Sequence, residues 1–178
     1  MAARLLAAFA ALLVAGTANA QPNIAQVHEA DALYLPTPQP VVDAMLRLAG
    51  VSRADIVYDL GSGDGRIPIA AARAYGARGV GIELDGRMLE LARANARKSG
   101  MERLVEFRQE DLFRADIREA TVVTLFLFPQ MNQRLAPKLR AELRPGTRIV
   151  SHRFGLGDWV PERTIEAGGH QLLLWTVP

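Results

Sequence analysis

The chain has 178 residues, a formal charge of +2 and no cysteine. That length suits one domain with an ordinary core and leaves no room for a separate catalytic domain, so loops on the same unit must handle any substrate. The missing cysteine excludes disulfides, thiolate nucleophiles and zinc-thiolate sites, and the 21 basic residues, mostly arginine, are scattered rather than massed, which favours a solvated surface over a nucleic-acid stripe.

Residues 1–20 differ in character from the rest of the chain. Arg4 gives a positive start, Leu5 to Ala15 an apolar run, and Ala18-Asn19-Ala20 a small-residue end. This pattern predicts a signal peptide cleaved after Ala20, the alternatives being an uncleaved anchor or a core helix. The run is short for a permanent membrane span, so no transmembrane segment is expected in the mature chain. Export to the periplasm or medium follows, or a cytoplasmic location if the signal is not used. Residues 21–36 read as an N-terminal arm and 37–178 as the folded domain.

In Thr37-Pro38, Thr37 is placed to cap a helix and Pro38 to sit in its first turn; Val41, Val42, Met45, Leu46 and Ala49 form its apolar face, and Gly50 ends it. Ile56 to Asp59 is a short β-branched run ending in an acid, followed by Gly61-Ser62-Gly63-Asp64-Gly65-Arg66. A helix takes over at Ile67 with Ala70, Ala71 and Ala74 on its inner face. Strand, glycine loop and helix make the start of a nucleotide-binding Rossmann-like unit. Arg66 occupies the position where a dinucleotide fingerprint needs glycine.

Gly79 to Glu83 is a second strand, and Glu83 lies at the distance where such folds place a ribose-binding carboxylate. Met88, Leu91, Ala92 and Asn95 mark the inner face of the next helix. Leu104 to Phe107 form a third strand, followed by a loop holding Asp111 and Leu112. Thr121 to Phe128 is apolar almost throughout, as a parallel strand covered on both faces should be. Leu135, Leu139 and Leu143 carry a helix that Pro137 should interrupt, and Thr147 to Ser151 is a fifth strand. Residues 154–178, with a turn at Gly168-Gly169, predict two antiparallel strands. The fold class is α/β: a single, mostly parallel, doubly wound sheet with an antiparallel C-terminal hairpin.

Four spaced features coincide: Asp59-x-Gly61-x-Gly63-x-Gly65, Glu83 ending the second strand, Asp111 after the third, and an apolar fourth strand running into Pro129. Over about residues 34–178 the chain resembles the class I S-adenosylmethionine (AdoMet)-dependent methyltransferases. Within them, Asp-Leu-Gly-Ser-Gly-Asp-Gly-Arg, the Pro-Thr-Pro helix start and Phe-Pro-Gln-Met after strand four are similar to the small lysine methyltransferases typified by the ATP synthase c-subunit enzyme.

The resemblance implies AdoMet as cofactor, with backbone approach at Gly61, Gly63 and Gly65. It also implies Asp59 toward the cationic methionine end, Glu83 on the ribose hydroxyls, and Asp111 with the Leu112 N–H at the adenine. Each acid could instead be a cap or turn residue. Tyr34 and Thr37 are candidates to close over the cofactor, Thr37 equally as a plain cap. The acceptor side is expected at Phe128, Pro129 and Gln130, with His152, Arg153, Asp158 and Trp159 at the same rim. His152 is a candidate base, although a lone histidine is more often structural; Phe126, Met131 and Trp175 read as core.

The implied reaction is N-methylation of a lysine on a protein substrate. Nucleic acid is not expected as a partner, and the Asn/Asp-Pro-Pro-Tyr motif of amide and base methyltransferases is missing. No metal is expected, since no His/Asp/Glu cluster has ligand spacing. The rival readings are an exported AdoMet- or nucleoside-binding module without catalysis, raised because AdoMet is made in the cytosol and an exported methyltransferase would need a supply of it, and a dinucleotide-dependent oxidoreductase.

Overall fold

The computed structural model describes residues 35–178. Tyr34, the signal-like segment and most of the proposed arm lie outside the described residues. The elements run α1 (Gln39–Leu48), β1 (Ile56–Leu60), α2 (Arg66–Tyr75), β2 (Arg78–Glu83), α3 (Gly86–Lys98), β3 (Val105–Gln109), β4 (Val122–Leu125), α4 (Pro129–Glu142), β5 (Arg148–His152), β6 (Arg163–Ala167) and β7 (His170–Thr176). The strands form one sheet in the order β3-β2-β1-β4-β5-β7-β6. β1 to β5 are parallel, and β7 is antiparallel to both β5 and β6. Gly168 and Gly169, at φ 59° and 76°, make the two-residue hairpin turn between the last strands, where both positions need left-handed backbone.

Successive strand residues face opposite sides, which divides the core into two layers. Tyr58, Leu60, Val123, Leu125, Ile149 and Trp175 pack with Leu135 and Leu139 of α4. Val57, Val122, Val150, Leu172 and Leu174 pack with Val41 and Met45 of α1 and Ile67 and Ala71 of α2. Order reverses between β1 and β4, so a crevice opens at their carboxyl ends.

The structure corrects several expectations. On α2 it is Ala72 that is buried, whereas Ala74 faces solvent. On α3 the inner face is Leu89, Ala92 and Ala96, and Leu91 is exposed. Asp85 caps that helix by accepting from the Arg87 N–H, which sets its start and hence its phase. Pro137 does not interrupt α4: it lies on the solvent side, where the Gln133 carbonyl it leaves without a helical donor can turn to water. β4 is shorter than the apolar run, ending at Leu125, so Phe126 and Leu127 are only half-buried and Met131 likewise. Trp175 is core, and its indole N–H donates to the Trp159 carbonyl at 2.7 Å.

Candidate active site

Asp59 comes near the carboxyl end of β1, directly opposite Thr124 of β4. It is 3% exposed, and its Oδ1 accepts from the Thr124 hydroxyl at 2.7 Å. Burial pushes its pKa up to about 7; the Thr124 bond opposes this, and the Glu83 and Asp64 charges add to it. A buried carboxylate with an unspent oxygen is arranged to receive a cation.

The glycine loop begins one residue after β1. The Gly61 and Ser62 N–H groups both donate to the Ile82 carbonyl, which folds the loop back over β2. Gly61, Gly63 and Gly65 all have positive φ, as a turn this tight requires. Two of these glycines also answer to packing inside the protein. A Cβ on Gly65 would stand 2.5 Å from the Phe107 ring and 2.9 Å from Ala92, so this glycine serves the packing of α2 against α3 and β3. At Gly61 the nearest neighbour is the flexible end of Leu127, at 2.9 Å.

Glu83 ends β2 and spans two loops. Its Oε2 accepts from the Gly63 N–H at 2.9 Å, and its Oε1 from the Leu84 and Asp85 N–H groups at 2.8 and 2.9 Å. A carboxylate offers about four acceptor sites, so Oε2 keeps room for a ribose hydroxyl. Asp111 forms a turn by accepting the Phe113 N–H on Oδ1 at 2.9 Å. That is the turn reading of this acid; its Oδ2 lies 3.8 Å from the Arg114 guanidinium on a partly exposed side chain. Leu112 beside it packs against the core.

On the acceptor side, Phe128 is 47% exposed and Pro129 and Gln130 are exposed with it. His152 is not at an open rim: it is 1% exposed. Its Nδ1 lies 3.2 Å from Thr37 Oγ1, its Nε2 lies 2.8 Å from His170 Nδ1, and its ring centroid is 4.0 Å from that of Phe126. Thr37 therefore does not cap α1, whose N-cap is Pro38 without a side-chain bond. Desolvation, with the His170 and Arg153 charges, lowers the His152 pKa from 6.5 to about 4. Trp159 is packed under the Arg140 guanidinium, 4.5 Å from its ring centroid, while Asp158 and Arg153 are exposed.

Sequence reasoning missed Thr124, His170 and Arg66 as parts of this site. Thr124 sits in an apolar run, where a polar side chain was itself the signal. His170 is brought to His152 by the β5–β7 pairing, which no local pattern encodes. Arg66 forms an ion pair with Asp64 at 2.7 Å and donates to the Thr37 carbonyl at 2.9 Å, so it fastens the glycine loop to the segment before α1. Among the described residues, no group of three or more His, Cys, Asp or Glu side chains could hold a metal ion.

The donor set fits AdoMet: an acid for an ammonium at Asp59, a glycine turn, a ribose acceptor at Glu83, and a partly exposed carboxylate at Asp111. Strand order and site together define a class I methyltransferase. The sequence model of the ANTKMT methyltransferase domain matches residues 59–163, and the chain belongs to that family. It is 47% identical over 134 residues to a protein-lysine N-methyltransferase of Saccharolobus islandicus (strain REY15A), covering 75% of this chain and 83% of that protein. It is 36% identical over 135 residues to the ATP synthase c-subunit lysine N-methyltransferase of Xenopus laevis, covering 76% of this chain but only 59% of that one. Among solved structures, an RNA methyltransferase from Salinibacter ruber in complex with S-adenosyl-L-homocysteine is similar. It shares 58% identity with a TM-score of 0.80, covering 81% of this chain and 94% of that one.

Proposed function

We propose that this chain transfers a methyl group from AdoMet to the ε-amine of a lysine in a protein. The observation that carries the reading is the buried Asp59 carboxylate beside the glycine loop, one strand from the apolar, exposed Phe128. The first suits a cationic amino-acid end; the second suits an amine that must arrive neutral, because an apolar wall disfavours ammonium. AdoMet, when bound, supplies an electrophilic methyl on a sulfonium that leaves as a neutral thioether. The chain's own part is alignment: Asp59, Glu83 and Asp111 orient the cofactor, Phe128 and Pro129 exclude water, and Gln130 offers an uncharged hydrogen-bond partner to the amine. The amine proton is lost to solvent.

The names of the Saccharolobus and Xenopus relatives support lysine as acceptor; the name of the Salinibacter structure supports RNA as a second reading. One experiment separates them. The protein is incubated with methyl-labelled AdoMet and either protein or RNA from its host, and both are hydrolysed. Labelled methyl-lysine is expected, and a labelled nucleoside without methyl-lysine would replace the reading. We also propose that residues 1–20 are an export signal, supported by Arg4, the apolar run and Ala18-Asn19-Ala20. Mapping the N-terminus of the protein from cells should find Gln21, and a chain starting at Met1 or Ala2 would refute export. Among the described residues, no helix is long and apolar enough to cross a membrane.

A further inference from the structure

Asp59, Thr124, Phe126, His152 and His170 share one face of the sheet, the one that carries α1 and α2, because they alternate in step with Val57, Val122, Val150 and Leu172. Asp59 and Thr124 form one row across β1 and β4. Just beyond it, toward the carboxyl edge, Phe126 and His152 form the next. The second row therefore borders the place where a methyl group would leave the cofactor.

His152 joins three separately encoded pieces there. It reaches Thr37 in the segment before α1, the Phe126 ring at the end of β4, and His170 at the start of β7. Thr37 is held at its other end too, its carbonyl taking the Arg66 guanidinium at the start of α2. The backbone fixes the direction of His152. Arg153 holds φ at 71°, an uncommon conformation for a residue with a Cβ, while its N–H donates to the Gln171 carbonyl at 2.8 Å. Strain of this kind persists only where the surroundings over-determine it. Both ring nitrogens are used inside the protein, so His152 is not free to take a proton from substrate.

Resting on the methyltransferase reading above, we propose that His152 is a positioning residue, which through Thr37 and Phe126 sets the acceptor wall in register with the glycine loop. It acts without carrying charge, since a histidinium there would repel the sulfonium of the cofactor.

The test compares wild type, His152→Phe, Thr37→Val and the double variant. His152→Phe keeps an aromatic ring against Phe126 and removes both hydrogen bonds. Calorimetry should give AdoMet affinity for His152→Phe within about threefold of wild type, while kcat on the methyl acceptor falls at least tenfold. Thr37→Val should lower kcat similarly, and the double variant should be no worse than the worse single one, as expected for groups acting as a unit. Unchanged kcat and KM in a folded His152→Phe, or additive losses in the double variant, would overturn the proposal. If His152→Phe does not fold, kcat of Thr37→Val decides alone: a tenfold fall supports the proposal and an unchanged value refutes it. Failure of wild type to bind AdoMet would instead refute the methyltransferase reading.

Discussion

Glu83 Oε2 accepts the Gly63 N–H at 2.9 Å, which ties the end of β2 to the middle of the glycine loop before any ligand arrives. The same carboxylate holds the Leu84 and Asp85 N–H groups at the start of α3. Loop shape therefore already uses both of its oxygens, and the proposed ribose contact would add to Oε2. Glu83→Ala should cost about 1–3 kcal/mol in stability, because it strands backbone donors, and about 1.5–3 kcal/mol in AdoMet affinity. Urea unfolding and calorimetry on the same preparation separate the two losses. Full affinity in the folded variant would remove Glu83 from the ribose site.

If Asp59 receives the cofactor's ammonium as proposed, cofactor binding should depend on pH. The pKa of Asp59 in the free protein is raised from 3.8 to about 7, so the stability of its protonated form is fully present below 3.8 and is lost as pH rises through about 7. An ammonium beside it reverses the preference, since a cation favours the carboxylate. AdoMet affinity should therefore increase as pH rises from 6 to 8. Asp59→Asn should abolish this rise, weaken binding at pH 8, and make the free protein more stable than wild type there. Calorimetry and thermal unfolding at both pH values check each part.

His152 gives the opposite sign. Its pKa is depressed from 6.5 to about 4, so the unfolded chain takes up a proton below 6.5 that the native protein refuses until about 4. Stability should fall across that window by about 2–3 kcal/mol on account of this group. Urea unfolding at pH 7.5 and 4.5 should show a smaller loss in His152→Phe than in wild type by about that amount. Equal losses would mean that His152 is already protonated in the native state.

Gly81 tests the close packing under the loop. A Cβ there would lie 2.5 Å from the Phe107 ring and 2.6 Å from Ser62 Oγ, and both neighbours are buried. Gly81→Ala should destabilise the domain by about 1–3 kcal/mol. Gly155, with nothing within 4 Å of an added Cβ, is the control, and Gly155→Ala should stay within about 0.5 kcal/mol of wild type.

The sheet, and the placing of the acids and glycines at its strand ends, were legible because their signals are local. Asp59, the glycines and Glu83 each end or follow a short strand, and spacing alone orders them. Helix phases were less legible: Leu91 and Leu89 are equally apolar, and the Asp85 cap, a single side-chain bond, decides which turns inward. The acceptor side was hardest to read. His152 looked like a rim residue because it follows a strand, yet Thr37 and His170, distant in sequence, close over both its nitrogens. Gly65 fits the ligand pattern, and the Phe107 ring against it is a second reason for glycine there that the spacing does not show. Tertiary contacts made these assignments, and no window of sequence contains them.

Phe128 carries the acceptor prediction. It is the N-cap of α4, where its carbonyl accepts the Met131 and Asn132 N–H groups, so main chain and not side chain anchors it. With 47% of the residue exposed, truncation leaves no closed cavity, and Phe128→Ala should change stability by no more than about 1 kcal/mol. AdoMet affinity should stay within about twofold, because Asp59, Glu83 and Asp111 are untouched. Turnover on a lysine-bearing protein should drop at least tenfold, through loss of the apolar wall that keeps the amine neutral, and the loss should shrink as pH approaches the lysine pKa of about 10.4. Steady-state rates at pH 7 and 9.5 measure both effects. Equal loss of AdoMet binding and turnover would make Phe128 part of the cofactor site, and a loss independent of pH would leave it shaping the acceptor pocket without tuning the amine.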